Sequence, residues 1–270
     1  MSARPLSLAA LTVLELSPPD MVSCAADAGY SHVGLRLLPA TQTERAWPMV
    51  GDTPLVREVE HRLADRGIVV LDIEIFRLKP ETRVSDYASA LETGARLGAR
   101  HVLVAGNDPD ETRLAERFAA MCELGAPLGL TMDLEPMPWT DVRSLQQGAS
   151  IVDRAARDNG GILVDPIHFD RGGNVANDIT AVAASRFHYA QLCDAPADRP
   201  QDIDTLLFQA RAERLMPGDG GLDLAGILRA LPANLPLGME VPMDSLSRRL
   251  GPVERARAIL YKARTLLDSL

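Results

Sequence analysis

The segment GILVDPIHFDRGG, residues 161–173, couples a short apolar run to polar side chains that can carry chemistry. Ile162-Leu163-Val164 predicts a buried strand that ends at Asp165, and Pro166 prevents further strand pairing. His168 follows three residues after Asp165, in what the pattern predicts to be a loop that continues to Gly173. A carboxylate at the end of a buried strand is costly unless something pairs with it. The rest of the chain should therefore supply a partner for Asp165.

Outside this segment, short apolar runs alternate with amphipathic stretches at intervals of about thirty residues. Strands are predicted at residues 6–13, 32–38, 68–76, 101–105, 130–135, 162–165, 187–192 and 237–241. Continuous apolar strands separated by helices indicate a parallel sheet buried on both faces. Eight such units in 270 residues favour a closed (β/α)8 TIM barrel over an open sheet. No linker or composition break is visible, so residues 1–270 are predicted to form a single domain.

Composition excludes several classes of protein. The net charge of −9 disfavours a nucleic-acid surface and binding to anionic membranes. Lys79 and Lys262 are the only lysines, which leaves little scope for a Schiff-base aldolase. Cys24, Cys122 and Cys193 have no metal-like spacing and are odd in number, which is typical of reduced thiols. No apolar run reaches the ~18 residues of a membrane span, so a cytoplasmic protein is expected.

Polar side chains stand at the predicted ends of four consecutive strands, where the active site of such a barrel lies. They are Glu135, Asp165 with His168, Gln191 with Asp194, and Glu240. Carboxylates that converge on a dry pocket repel one another, and a divalent cation removes that repulsion. Oxygen ligands favour Mg²⁺ or Mn²⁺ over zinc. The alternative is that these groups are ordinary strand caps and salt-bridge partners.

Five segments, taken together with their order and spacing, resemble a known superfamily. They are LEPMPW (134–139), VDPIHF (164–169), YAQLCDAP (189–196), MPGDGGLDLAGIL (216–228) and MEVPMD (239–244). In this they are similar to the sugar phosphate isomerase/epimerase superfamily, the xylose isomerase-like barrels. The early segments GYSHVGLRL (29–37) and GARHVLV (98–104) also fit, so the resemblance covers nearly the whole chain.

This resemblance implies one divalent metal ion held by Glu135, Asp165, Gln191 and Glu240, with Glu135 and Glu240 also acting as the proton-transferring pair. A metal chelated by a carbonyl and a neighbouring hydroxyl stabilises an enediolate, and a carboxylate on each face can remove and return a proton. We therefore predict an isomerase or epimerase acting on a small sugar or hydroxy-carbonyl compound. The alternative is a dehydratase of the 3-dehydroshikimate or inosose type, because Gln191 stands where ketose 3-epimerases usually have His.

Other polar residues have roles that the resemblance or their position suggests. His168 is a candidate acid or base, against the alternative of a satisfied loop histidine. Arg214, just before a Pro-Gly turn, is predicted to bind the substrate as an anion clamp or else to be a solvated surface residue. Glu74 and Arg77 contact the substrate or pair with each other, and Trp139 forms a wall of the pocket.

Further residues bear on substrate and partners. Arg36 stands where the family usually has Glu, which indicates either a negatively charged substrate or a salt bridge. Strand alternation places His188 on the outer face, against the helices. A nuclease of the AP-endonuclease type is disfavoured because it requires many histidines and the chain has five. We expect a small-molecule substrate, no nucleic-acid or membrane partner and, by resemblance alone, a homodimer.

Overall fold

Eight short parallel strands form one curled sheet whose order is β6-β5-β4-β3-β2-β1-β8-β7. The computed structural model describes residues 4–270. The strands are β1 (Leu6–Leu8), β2 (His32–Arg36), β3 (Val69–Leu78), β4 (His101–Gly106), β5 (Thr131–Glu135), β6 (Gly160–Ile162), β7 (Ala190–Leu192) and β8 (Leu237–Met239). A single parallel bridge between Val164 and Ala190 joins the two edges of the sheet. The predicted (β/α)8 barrel is thereby confirmed.

Helices cover the outside of this barrel. They are α1 (Pro18–Ala28), α2 (Pro54–Arg66), α3 (Ala88–Arg96), α4 (Glu111–Gly125), α5 (Leu145–Ala155), α6 (Pro166–Arg171), α7 (Ala176–Thr180), α8 (Ile203–Ala212), α9 (Leu224–Ala230), α10 (Asp244–Ser247) and α11 (Pro252–Asp268). The main apolar core lies between the helices and the outer faces of the strands. A smaller cluster, which includes Leu103, Leu163 and Tyr189, fills the barrel interior on the strand faces that also carry Glu135.

The structure corrects the prediction for the segment after β6. The strand ends at Ile162, and the residues predicted to form a loop begin the short helix α6. Asp165 is the N-cap of α6: its Oδ1 accepts hydrogen bonds from the backbone nitrogens of Ile167 at 2.9 Å and His168 at 3.3 Å. Pro166 occupies the first helical position, where its missing N–H costs nothing. An Asp-Pro pair after an apolar run predicts the end of a strand. The same pair is also a signal for the start of a helix.

Strand 1 is also shorter than predicted, because residues 10–13 form a 3₁₀ turn. The cause is a side chain in that turn. Thr12 Oγ1 donates to the carbonyl of Met239 at 2.7 Å and accepts from the amide of Val241 at 2.8 Å. The hydroxyl thus takes the place of a strand partner at the end of β8 and holds the chain beside Glu240.

Candidate active site

A cavity of about 290 Å³ opens at the carboxyl ends of the strands. Glu135 at the end of β5 and Glu240 just after β8 line it, together with His168 on α6. Asp165 and Gln191 are also buried, but they do not line the cavity itself. Strand ends from opposite parts of the sequence therefore deliver their polar side chains to one place.

Three of these side chains form a compact cluster. Glu135, Asp165 and His168 each offer an atom that lies within 4.8 Å of the others, and the His168 Nε2 to Glu135 Oε1 distance is 3.8 Å. Burial, together with the charges of Glu240 and Asp165, raises the pKa of Glu135 well above its usual range. Burial raises the pKa of Glu240 to about 7 despite the opposing charge of Arg214. The carboxylates are thus close enough for their charges to oppose one another.

Three buried side-chain atoms of the predicted site residues have no hydrogen-bond partner within the described residues 4–270: Glu135 Oε1, Gln191 Oε1 and His168 Nδ1. A buried polar atom is normally paired, so an oxygen left without a donor indicates a missing ligand. A divalent cation would accept electron pairs from the carboxylate and amide oxygens and would relieve the carboxylate repulsion. The residues present therefore fit such an ion. Oxygen ligands of this kind suit Mg²⁺ and Mn²⁺, and Zn²⁺ also accepts carboxylate oxygens.

Arg214 is fully buried beneath this cluster, 1% exposed, and binds two of the carboxylates. Its Nη1 lies 2.5 Å from Asp165 Oδ2, and its Nη2 lies 2.7 Å from Glu240 Oε2. Burial would raise the pKa of Asp165, but the Arg214 guanidinium lowers it below its ordinary value. The predicted alternative of a solvated surface arginine is therefore wrong. Contact with substrate stays a prediction for Arg214, whose guanidinium is largely occupied by the protein.

Glu74 and Arg77 line the cavity but are not paired with each other. Glu74 Oε1 lies 3.0 Å from Arg36 Nη2, and Arg36 also binds Glu44 at 2.8 Å. The salt-bridge interpretation of Arg36 is thus the one that the structure supports. Arg77 instead donates to two neutral groups, the Asn107 Oδ1 at 3.1 Å and the carbonyl of Ala40 at 3.3 Å.

Trp139 lines the cavity, as predicted, and contacts two other lining residues. Its ring meets the His168 ring edge-on with centroids 4.8 Å apart, and the guanidinium carbon of Arg211 lies 5.4 Å from the Trp139 ring centroid. Sequence reasoning missed Arg211. A signal for it existed, because Arg211 lies three residues before Arg214, which the sequence indicates as a candidate substrate-binding residue.

A second polar cluster, which sequence reasoning also missed, occupies the amino-terminal end of the barrel. His188 Nδ1 lies 2.7 Å from Asp133 Oδ1, and the His188 ring is parallel to that of His101 with centroids 6.2 Å apart. The prediction that His188 faces the helices was wrong, because β7 begins only at Ala190 and strand alternation does not extend back to His188. Burial lowers the pKa of His101 to about 4, and Asp133 raises that of His188 against the effect of burial.

The fold is a TIM barrel with an acidic cluster near the carboxyl ends of its strands. Comparison of the chain with known protein families assigns it to one of them. The profile of the xylose isomerase-like TIM barrel family matches residues 22–263, and the chain belongs to that family. Among the residues described, no helix is both long and apolar enough to cross a membrane.

Individual relatives carry different activities. A 3-dehydroshikimate dehydratase of Pseudomonas aeruginosa is 29% identical over 224 residues, 76% of this chain and 35% of the relative. An inosose isomerase of Bacillus velezensis is 25% identical over 158 residues, 55% of this chain and 54% of the relative. The chain thus spans about a third to a half of the length of these relatives. The solved structure of an IolI protein with a bound zinc atom matches this chain with a TM-score of 0.75 at 17% identity. The match covers 95% of this chain and 96% of the IolI chain.

Proposed function

We propose that this chain is a divalent-metal-dependent enzyme that removes the proton next to the carbonyl group of a small hydroxy-carbonyl compound. The observation that carries the proposal is the convergence of Glu135, Asp165 and His168 within 4.8 Å, with a buried Glu135 oxygen that has no donor among residues 4–270. Asp165, Glu135, Glu240 and Gln191 are the proposed metal ligands. When bound, the cation would polarise the substrate carbonyl and stabilise negative charge on its oxygen.

The residues of the chain supply the proton transfer. Burial lowers the pKa of His168 to about 4, so the imidazole is neutral near pH 7 and can accept a proton. Trp139 contacts the His168 ring edge-on, with the two ring centroids 4.8 Å apart. Arg214 keeps Asp165 ionised and ties Glu240 in place. His168 is therefore the base in this site that is neither a proposed metal ligand nor bound to Arg214.

This asymmetry supports dehydration as the reaction outcome. Loss of a neighbouring hydroxyl after proton removal needs one base and one acid, and His168 can serve as both in turn. The 29% identity to a 3-dehydroshikimate dehydratase points in the same direction. The reaction that we predicted first, isomerisation or epimerisation, is retained as a second candidate. It is supported by the presence of both Glu135 and Glu240 in the cavity and by the similarity to an inosose isomerase.

Metal dependence is tested by thermal unfolding of chelator-stripped protein with Mn²⁺, Mg²⁺, Zn²⁺ or no metal. A cation at a hundred times its dissociation constant should stabilise the fold by about 2.7 kcal/mol. Glu135→Gln should abolish this gain. Glu44→Gln, at the cavity mouth but outside the proposed ligand set, should keep it. Absence of a metal effect in the unmodified protein would remove the basis of the proposal.

The reaction outcome is tested in deuterated water with metal-loaded protein and either 3-dehydroshikimate or inosose. A new conjugated product that absorbs in the near ultraviolet indicates dehydration. Recovered ketone that has gained deuterium next to the carbonyl, or an isomeric ketone, indicates the second candidate. His168→Asn should lower the rate by about 10²–10⁴ in either case while the metal-dependent stabilisation persists.

A further inference from the structure

We propose that the substrate is a hydroxy-keto acid whose carboxylate is bound by Arg77 and Arg211 at the cavity mouth. This inference rests on the proposed function, because it names the substrate class of the same site. Four arginines line the cavity: Arg36, Arg77, Arg211 and Arg214. They differ sharply in whether the protein already neutralises them.

Two of the four are already neutralised by protein carboxylates. Arg36 binds Glu44 and Glu74 at 2.8 and 3.0 Å. Arg214 binds Asp165 and Glu240 at 2.5 and 2.7 Å. Neither guanidinium can turn toward a ligand without leaving a buried carboxylate unpaired, which is expensive.

Arg77 and Arg211 have no such partner. The hydrogen bonds of Arg77 go to a side-chain amide and a backbone carbonyl, both uncharged. The Arg211 guanidinium forms no hydrogen bond or ion pair with any residue in the range 4–270, and it lies over the ring of Trp139. Both side chains line the same cavity, and burial and then the charge of Arg211 lower the pKa of Arg77. Two neighbouring cations without a carboxylate form a natural anion-binding site.

The charges around the cavity favour a carboxylate over a phosphate. With a divalent cation bound, Glu135, Asp165 and Glu240 are balanced by that cation and Arg214. Arg36 with Glu44 and Glu74 leaves one negative charge, and Arg77 with Arg211 adds two positive charges. The cavity therefore keeps one net positive charge, which a monoanionic carboxylate neutralises.

The position of Arg211 also sets the direction of the substrate. Arg211 packs on Trp139, and Trp139 packs on His168, which lies 3.8 Å from Glu135. A carboxylate held by Arg211 would thus leave the rest of a small ring facing His168 and the proposed metal ligands. The pair would select acids over neutral sugars and orient the carbon that loses its proton.

Calorimetric binding to the Mn²⁺-loaded protein tests this inference. The probes are quinate, a ring polyol with a carboxylate; myo-inositol, a neutral polyol of the same ring size; and myo-inositol 1-phosphate. Arg211→Gln and Arg77→Gln should each weaken quinate binding at least about tenfold, because each removes a charge-assisted hydrogen bond. Binding of myo-inositol should stay weak and unchanged. Arg229→Gln, an exposed arginine on α9 outside the cavity, is the matched control and should change neither.

The inference is overturned if quinate binds no better than myo-inositol, if the phosphate binds better than quinate, or if Arg229→Gln weakens quinate binding as much as Arg211→Gln. Its failure is separable from that of the proposed function, because Mn²⁺ stabilisation is measured on the same samples. Stabilisation by Mn²⁺ together with insensitivity to both cavity arginines would reject the keto-acid substrate alone. Absence of Mn²⁺ stabilisation would reject the proposed function and, with it, the charge balance on which this inference depends.

Discussion

At the scale of single residues, the site is organised around Arg214. Its guanidinium is buried among groups that would otherwise repel one another, and it holds Asp165 and Glu240 at fixed positions. It also donates from Nε to the carbonyl of Ala210 at 2.7 Å, which connects the site to α8. A buried ion pair is not by itself a net source of stability, but removal of one partner leaves an uncompensated charge.

Arg214→Gln should therefore lower the free energy of unfolding by about 3–5 kcal/mol in the absence of metal. Added Mn²⁺ should recover part of the loss, because a cation can compensate the same carboxylates. Arg211→Gln, an exposed residue three positions away, should stay within about 0.5 kcal/mol of the parent. Urea denaturation with and without metal measures all of these values, and equal effects of the two substitutions would contradict the assignment.

His101 predicts a dependence of stability on pH. Its pKa falls from an ordinary 6.5 to about 4 through burial, which outweighs the attraction of Asp133. Between these values the unfolded chain binds a proton that the folded chain does not, so stability falls as pH drops from about 6.5 toward 4. The full loss is about 3 kcal/mol. Stability well above pH 6.5 is unaffected by this group.

His101→Gln isolates that contribution because glutamine can keep the hydrogen bond to Thr131 but does not titrate. Denaturation at pH 7.5 and pH 4.5 should show the parent losing more stability than the variant over this interval. A stability difference between the two proteins that stays constant across both pH values would show that His101 is not responsible.

At the scale of elements, the barrel strands are short, and a glycine in one of them leaves space for a polar contact between side chains from the segments on either side of it. Gly161 in β6 lies beneath the contact between Asp133 and His188. A Cβ at this position would stand 2.5 Å from His188 Nδ1 and 2.6 Å from Asp133 Oδ1. Gly238 in β8 is open by comparison, with its nearest atom at 3.9 Å.

Gly161→Ala should consequently destabilise the protein by about 1–3 kcal/mol through overpacking. Gly238→Ala should be neutral or should stabilise it by up to about 1 kcal/mol, because the unfolded chain loses freedom and the folded chain loses nothing. Thermal or chemical unfolding of the two variants provides the comparison. Equal destabilisation by the two substitutions would contradict this prediction, because it would mean that the side chains of Asp133 and His188 shift to accept a Cβ at position 161 without cost.

Other element boundaries depended on side chains that the sequence pattern did not reveal. The alternation of apolar and amphipathic stretches located all eight strands. The end of β6 was misjudged because Asp165 and Pro166 serve a helix start as well as a strand end. The turn after β1 was missed because its cause, Thr12, is bonded to residues more than 220 positions away.

At the scale of the whole molecule, the barrel has one weak seam. The segment after β6 is joined to β7 by the single bridge between Val164 and Ala190, and the amide of Gln191 donates to the carbonyl of Val164 at 3.0 Å. Neighbouring pairs such as β3 and β4 are joined over five register positions. Asp165 and Gln191, both proposed metal ligands, stand on opposite sides of this seam.

Hydrogen exchange should reflect this arrangement. In metal-free protein the amides of β7 should exchange faster than those of β4, because fewer hydrogen bonds must break to open the seam. Mn²⁺ should slow exchange in β7 severalfold while leaving β4 little changed, since a shared ion would join the two edges. Mass spectrometry of peptides covering 188–193 and 101–106 measures both. Uniform protection by the metal would argue against a site that spans the seam.

The sequence by itself determined the barrel and the segments that carry Glu135, Asp165, Gln191 and Glu240, because periodicity and chain order are local properties that alternate faces and align parallel strands. The order of its motifs indicated the family. The tertiary structure decided the partners of those side chains. Arg214 binds the carboxylates, Arg36 takes Glu74, Arg77 and Arg211 lack carboxylate partners, and His188 turns to Asp133. Pairing of this kind depends on distances between residues far apart in the chain, which only the closure of the barrel sets.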